Sequence, residues 1–222
     1  MTVITISRQT GSSGDQIAAR VCELLGYRLF DKDMMVQVAA DVGLSEGEVI
    51  DVSEANFQSR TIFNRLLSLL TTPAGETPAV ASTSTWQRDT SGARVRQVEK
   101  LGEARAASIV AQTIDAAYNV GNVVIVGRAS QCVLKDRPGA LHVRVEAPWE
   151  HRVAHIAQES AITPQEAEKL VEERDKASAA YVRRFFEADW ADSQLYHLLL
   201  NSDRWSLEGA AGVIAASVTY LS

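Results

Sequence analysis

Cysteine is scarce in this 222-residue sequence, and Cys22 and Cys132 form no CxxC spacing. Nothing therefore suggests a thiolate metal site or a redox pair, and both are expected to be reduced packing thiols. No apolar run approaches the length of about 18 residues that spans a bilayer. The N-terminus also lacks the basic region and long apolar stretch of a signal peptide, so a cytoplasmic location without membrane contact is expected. A basic excess is missing too. The formal net charge of -6 argues against broad nucleic-acid binding, which needs a positive face. A small anionic ligand needs only a few local cations and stays open.

What is present is an ordinary globular composition, 46% hydrophobic and 23% charged, in a chain long enough to bury one substantial core. Residues 4–18 read ITISRQTGSSGDQIA: an apolar strand, a Gly/Ser turn, then a helix with Ile17, Ala18, Val21, Cys22, Leu24 and Leu25 at helical spacing up to Gly26. Such a turn binds phosphate when the free N–H groups and positive dipole end of the helix meet it and glycine lets the backbone approach. Gly11, Ser12, Ser13 and Gly14 suit that task, the hydroxyls serving as donors or as a magnesium ligand. The lysine of G-x-x-x-x-G-K-[ST] is missing, and Asp15 adds a negative charge. On these residues alone, a plain turn with Asp15 as an ordinary helix-start charge fits as well.

Further along, Tyr27 to Phe30 is a second apolar run, and LSEGEV at 44–49 places Ser45 as an N-cap with Glu48 as its capping-box partner. Residues 71–85, TTPAGETPAVASTST, have the content of a mobile loop, a lid or linker. A long helix is expected over 93–118, stopping at Asn119 to Asn122. The run NVVIVGR at 122–128 reads as a central parallel strand, and ALHVRVEAP at 140–148 as another. A helix from Trp149 to about Glu159 precedes a longer one capped by Thr163 with Pro164 in its first turn. A last strand over 195–202 and a closing helix over 207–220 complete an α/β pattern with a mainly parallel sheet.

His151 and His155 lie one helical turn apart, but HRVAH lacks the glutamate of H-E-x-x-H and no third ligand is apparent. His142 and His197 are expected to pack or face solvent. Trp149, Trp190 and Trp205 can stack a base or, more commonly, anchor helices to a core.

Five segments in order, ITISRQTGSSGDQIA, LGYRLFDKDMM (25–35), VVIVGRASQCVL (123–134), LHVRVEAPWEHRV (141–153) and YHLLLNSD (196–203), give the chain its resemblance to the cytidylate kinase-like family, a branch of the P-loop nucleoside monophosphate kinases. The resemblance implies a three-layer α/β sandwich of P-loop kinase type and a single domain over 1–222. Its core would be 1–35 and 119–222, with an inserted acceptor-side helical region at about 40–115 and a helical lid at about 165–190. ATP and Mg2+ are implied as cofactors, with phosphoryl transfer to CMP, dCMP or a related small acceptor. A catalytically weak or inactive nucleotide- or phosphate-binding protein, acting as a sensor or interaction module, is the alternative on the same fold. A homodimer is compatible with the long helices.

By position, the resemblance places donor phosphates in the loop Gly11, Ser12, Ser13, Gly14, Asp15 and Gln16, with Arg8 supplying the missing positive charge. Asp31, Arg94 and Arg96 fall on the acceptor side. Arg128 would grip the acceptor phosphate, which its planar fork suits, and would act with Lys176, Arg183 and Arg184 as the catalytic cations. The family spacing D-x-x-R-x-x-Y appears here as Asp175, Ser178 and Tyr181, so serine stands at the expected arginine. Val126 replaces an aspartate that helps order magnesium in bacterial cytidylate kinases.

Overall fold

The computed structural model describes residues 1–30, 34 and 107–221. Val3–Arg8 (β1) enters the core directly, and the turn after it starts Gly14–Leu25 (α1), which stops at Gly26, a left-handed residue whose N–H bonds Cys22 O. Arg28–Leu29 (β2) follows. A helix described over 107–120 (α2) leads into Val123–Val126 (β3) and the short Ser130–Val133 (α3). Ala140–Glu146 (β4), Trp149–Ser160 (α4) and Pro164–Phe186 (α5) come next, then Leu198–Asn201 (β5) and Leu207–Ser217 (α6).

The five strands are all parallel, in the order β2-β3-β1-β4-β5. Val3 of the central β1 pairs with Val123 on one side and Ala140 on the other. Alternation along the strands separates two apolar layers. Val3, Val123, Ile125 and Ala140 pack with Ile109, Ile114 and Leu134, beneath α2 and α3. Ile4, Ile6, Val124, Leu141, Val143 and Val145 pack with Ile17, Val21, Ala210 and Ile214 of α1 and α6. This is the expected three-layer α/β sandwich, and the run at 122–128 supplies an interior strand, Val123–Val126, covered on both faces beside the central β1.

α4 and α5 form a helical hairpin with its own seam of Val153, Ile156, Ala167 and Val171. Its turn is fixed by Thr163, the expected cap before Pro164, whose hydroxyl accepts from Glu166 N while Glu166 Oε2 accepts from Thr163 N, completing a capping box that sequence reasoning missed.

Three boundaries differ from expectation. α2 runs on through Val120 and ends at Gly121, which has a φ of +72°. The last strand begins at Leu198, because Asp192 accepts from Gln194 N and caps a 3-10 turn over Ser193–Leu195. α6 tightens after Ser217 into a 3-10 turn over Val218–Tyr220. Ser45, Glu48, the 71–92 stretch and most of the 40–115 region lie outside the described residues. Among those described, no helix is long and apolar enough to cross a membrane.

Candidate functional site

In an open parallel sheet, the crevice lies beyond the carboxyl ends of strands whose connections leave in opposite directions. Here β1 connects to β2, past β3, while β3 connects to β4, on the other side of β1. The loop after β1 and the turn after β3 therefore flank one crevice.

The loop is closely built. Ser12 Oγ donates to Gln9 O at 2.7 Å, so that hydroxyl serves the loop's own geometry. Gly11 has a φ of +81°, and a Cβ there would stand 2.5 Å from Arg152 O, which glycine alone avoids. Ser13 is left-handed (φ 57°) and caps α1 without a side-chain bond, leaving its Oγ 3.5 Å from His155 Nε2. The N–H groups of the first turn of α1 have no carbonyl one turn back. Asp15 and Gln16 in that turn are exposed.

Arg8 supplies the cation beside this turn. A Cβ on Gly14 would meet Arg8 Cβ at 2.4 Å and Cγ at 2.7 Å, and a Cβ on Gly127 would meet Arg8 Nη1 at 2.8 Å. The Arg8 side chain thus passes over Gly14 and carries its guanidinium to the turn after β3. Its Nε lies 3.3 Å from Asp15 Oδ1, a half-exposed pair that holds it weakly.

The turn after β3 runs through three consecutive left-handed residues, Gly127 (φ 69°), Arg128 (φ 57°) and Ala129 (φ 52°). Two adjacent non-glycine residues in that region store strain of order 1 kcal/mol or more each, which marks a site held by its surroundings. The turn aims Arg128 at the end of β2: Nη1 donates to Phe30 O at 3.0 Å and the guanidinium stacks 5.1 Å from the Phe30 ring centroid. Tyr181 of α5 shares this environment. Burial pushes its phenol up to about 12, with the Arg128 charge opposing.

α5 crosses from one side of the crevice to the other. Asp175 Oδ1 accepts from Thr10 N at 2.9 Å, and Val182, two turns on, packs with Ala129 and Trp190. Ser178 lies between them on the same helical face. The other expected cations of α5 have different surroundings. Lys176 is exposed, its Nζ 2.7 Å from Glu172 Oε1. Arg183 is exposed, and the exposed Arg184 stacks 5.4 Å from the Phe185 ring. The structure therefore brings Arg8, Arg128 and the 11–14 loop to one crevice, and among the described residues neither Lys176 nor Arg183 bonds the loop. Asp31, Arg94 and Arg96 lie outside the described residues.

Sequence reasoning missed several groups. Arg152, which the resemblance places only near the start of the lid, is buried and bonds Asp175 and Thr10. Behind β4, Arg144 stacks 4.4 Å from Trp190, and Trp190 Nε1 donates to Ser7 Oγ. Tyr196 OH donates to Trp190 O. Nothing in the pattern ALHVRVE marks that arginine as buried. His142 stacks on His197 and bonds Thr5 Oγ1, so it packs as expected. His151 pairs with Asp203, and no group of three metal-ligating side chains occurs among the described residues. Trp190 is core, whereas Trp149 and Trp205 are exposed.

The model of the cytidylate kinase-like family matches residues 3–204. The cytidylate kinase of Pyrococcus horikoshii is 29% identical over 101 residues, 46% of this chain and 52% of that protein. That of Methanosphaerula palustris is 32% identical over 94 residues, 42% and 52%. The chain thus spans about half the length of these relatives. Among solved structures, an uncharacterized protein from Eubacterium ventriosum superimposes over 99% of both chains with a TM-score of 0.59 at 17% identity, a likeness of fold. With its sheet order, its loop after β1 and a match over most of its length, the chain has the α/β P-loop kinase fold and belongs to the cytidylate kinase-like family.

Proposed function

We propose that the protein is a nucleotide-dependent phosphotransferase, moving a phosphoryl group from ATP to CMP, dCMP or a related small acceptor. The observation that carries this reading is the passage of Arg8 over Gly14, which puts a guanidinium between the loop after β1 and the Gly127 turn. Family membership and the nucleotide kinase character of the matched relatives support it.

A triphosphate suits the loop: the first N–H groups of α1 have no carbonyl partner one turn back, and Arg8, passing over Gly14, supplies charge beside them. Magnesium fits as an ion carried on the phosphates, since it favours oxygen ligands and keeps several waters. The Ser13 hydroxyl and the Asp15 carboxylate would be the protein oxygens offered to it. When bound, it neutralises charge on the phosphate oxygens.

The chain's own residues do the positioning. The loop N–H groups orient the donor phosphates, Arg8 offsets their charge, and Arg128, held by Phe30, presents its fork to the acceptor phosphate. α5 covers the crevice and limits water. Phosphoryl transfer depends mainly on such positioning and neutralisation.

The placement of Lys176 and Arg183 favours a second reading, a nucleotide-binding sensor on this fold, because a crevice with two arginines offsets less transition-state charge. A coupled ADP-release assay with ATP, magnesium and CMP, dCMP or UMP separates them. CMP- or dCMP-stimulated turnover supports the phosphotransferase; nucleotide binding without stimulated turnover by any acceptor supports the sensor.

A further inference from the structure

Thr10, the residue before the first loop glycine, is gripped on both sides. Its N–H donates to Asp175 Oδ1 at 2.9 Å, and its carbonyl accepts from Arg152 Nη1 at 3.1 Å. The same Nη1 donates to Asp175 Oδ2 at 2.6 Å, while Arg152 Nε donates to Ala147 O at 3.1 Å. Both side chains are largely buried, that of Arg152 almost wholly and that of Asp175 19% exposed. Gly11 then turns against the Arg152 backbone.

We propose that Arg152 and Asp175 are positioning residues that set the phosphate loop and tie α5 to it. The inference rests on the reading of the 11–14 loop as a phosphate site. Two charge-assisted bonds and one ion pair meet at one residue, on the two peptide groups that flank it, where low solvent access strengthens each of them. Removing the carboxylate leaves a buried guanidinium without its counter-charge and frees the Thr10 N–H. The direction of the first N–H groups of α1 follows from the path of Thr10 and Gly11. Because the carboxylate belongs to α5, the helix leaves the crevice only by releasing the loop. The pair therefore makes loop order and helix closure one event.

Hydrogen–deuterium exchange on the full chain without nucleotide tests this, comparing wild type with Asp175→Ala and Asp175→Asn, followed by titration with ATP and magnesium. The expected result is exchange at Thr10 at least tenfold faster in Asp175→Ala, with β4 and α1 as protected as in wild type. Asp175→Asn, which keeps an acceptor and loses the charge, is expected at threefold or more, with ATP affinity weakened about tenfold. It also serves if the alanine variant does not fold. Unchanged Thr10 exchange in a folded variant overturns the proposal, as does unchanged ATP affinity in Asp175→Asn. If wild type binds no ATP while Thr10 exchange rises as stated, the clamp stands and the phosphotransferase reading fails.

Discussion

Arg8 occupies the space that a side chain on residue 14 would need: a Cβ there would lie 2.4 Å from Arg8 Cβ. The clash involves atoms close to the β1 backbone, not the free end of a long side chain. A cation at position 8 of β1 and a side chain at position 14 are thus alternatives.

Exchanging the two positions is the first prediction. Arg8→Gly removes the charge and the obstructing Cβ, and is expected to weaken ATP binding by about 10- to 100-fold, as loss of a charged hydrogen bond does. Arg8→Gly with Gly14→Lys is expected to recover at least part of that loss in calorimetry. Gly14→Ala alone should weaken binding by displacing Arg8. A Gly14→Ala protein that binds ATP as wild type does would show that Arg8 is not needed where it lies.

Ser178 gives the second. It lies on the face of α5 that carries Asp175 and Val182 over the crevice, at the position where the family pattern has arginine. Ser178→Arg is expected to raise phosphoryl transfer, measured as ADP release at saturating CMP, by about tenfold or more, the scale of one added transition-state contact. Unchanged turnover would place position 178 away from the reacting phosphates.

His142 sets a pH dependence of stability. Burial, reinforced by neighbouring His197, lowers its pKa to about 4 from the ordinary 6.5, while its bond to the Leu134 carbonyl opposes. Between these values the unfolded chain binds the extra proton, so stability is full above about pH 6.5 and falls as pH drops toward 4. About 2 kcal/mol should be lost between pH 7 and pH 5, and urea melts of wild type against His142→Gln isolate this share. Equal slopes in the two proteins would contradict it.

The cysteines give a fourth. Burial pushes the thiols of Cys22 and Cys132 up to about 11. Both should react with iodoacetamide at pH 8 about 100-fold more slowly than after unfolding, read by mass spectrometry. Rapid native labelling would mean that either thiol is more accessible than its packing indicates.

The sheet was legible because its strands are apolar runs bounded by turn residues, and the start of α5 because Thr163 and Pro164 form a cap readable in order. Arg8 was legible only as a nearby cation; its passage over Gly14 depends on the distance between β1 and α1. The Arg152–Asp175 contact joins residues 23 positions apart on two helices, and helical periodicity cannot say how a hairpin sits on a loop. Arg144 was hidden for a similar reason, since a strand's alternation does not distinguish a polar pocket from solvent. The cations of α5 were expected over the phosphates from the lid role that the resemblance gives their helix, and the direction each takes depends on how the helix is rotated about its axis, which the sequence does not give.

The most direct test of the account is calorimetric titration of wild type and Arg8→Ala with ATP in magnesium. The prediction is saturable one-site binding by wild type, weakened about 10- to 100-fold by Arg8→Ala. Equal affinity in the two proteins, or no binding by wild type, would contradict the claim that the loop holds nucleotide phosphates through Arg8.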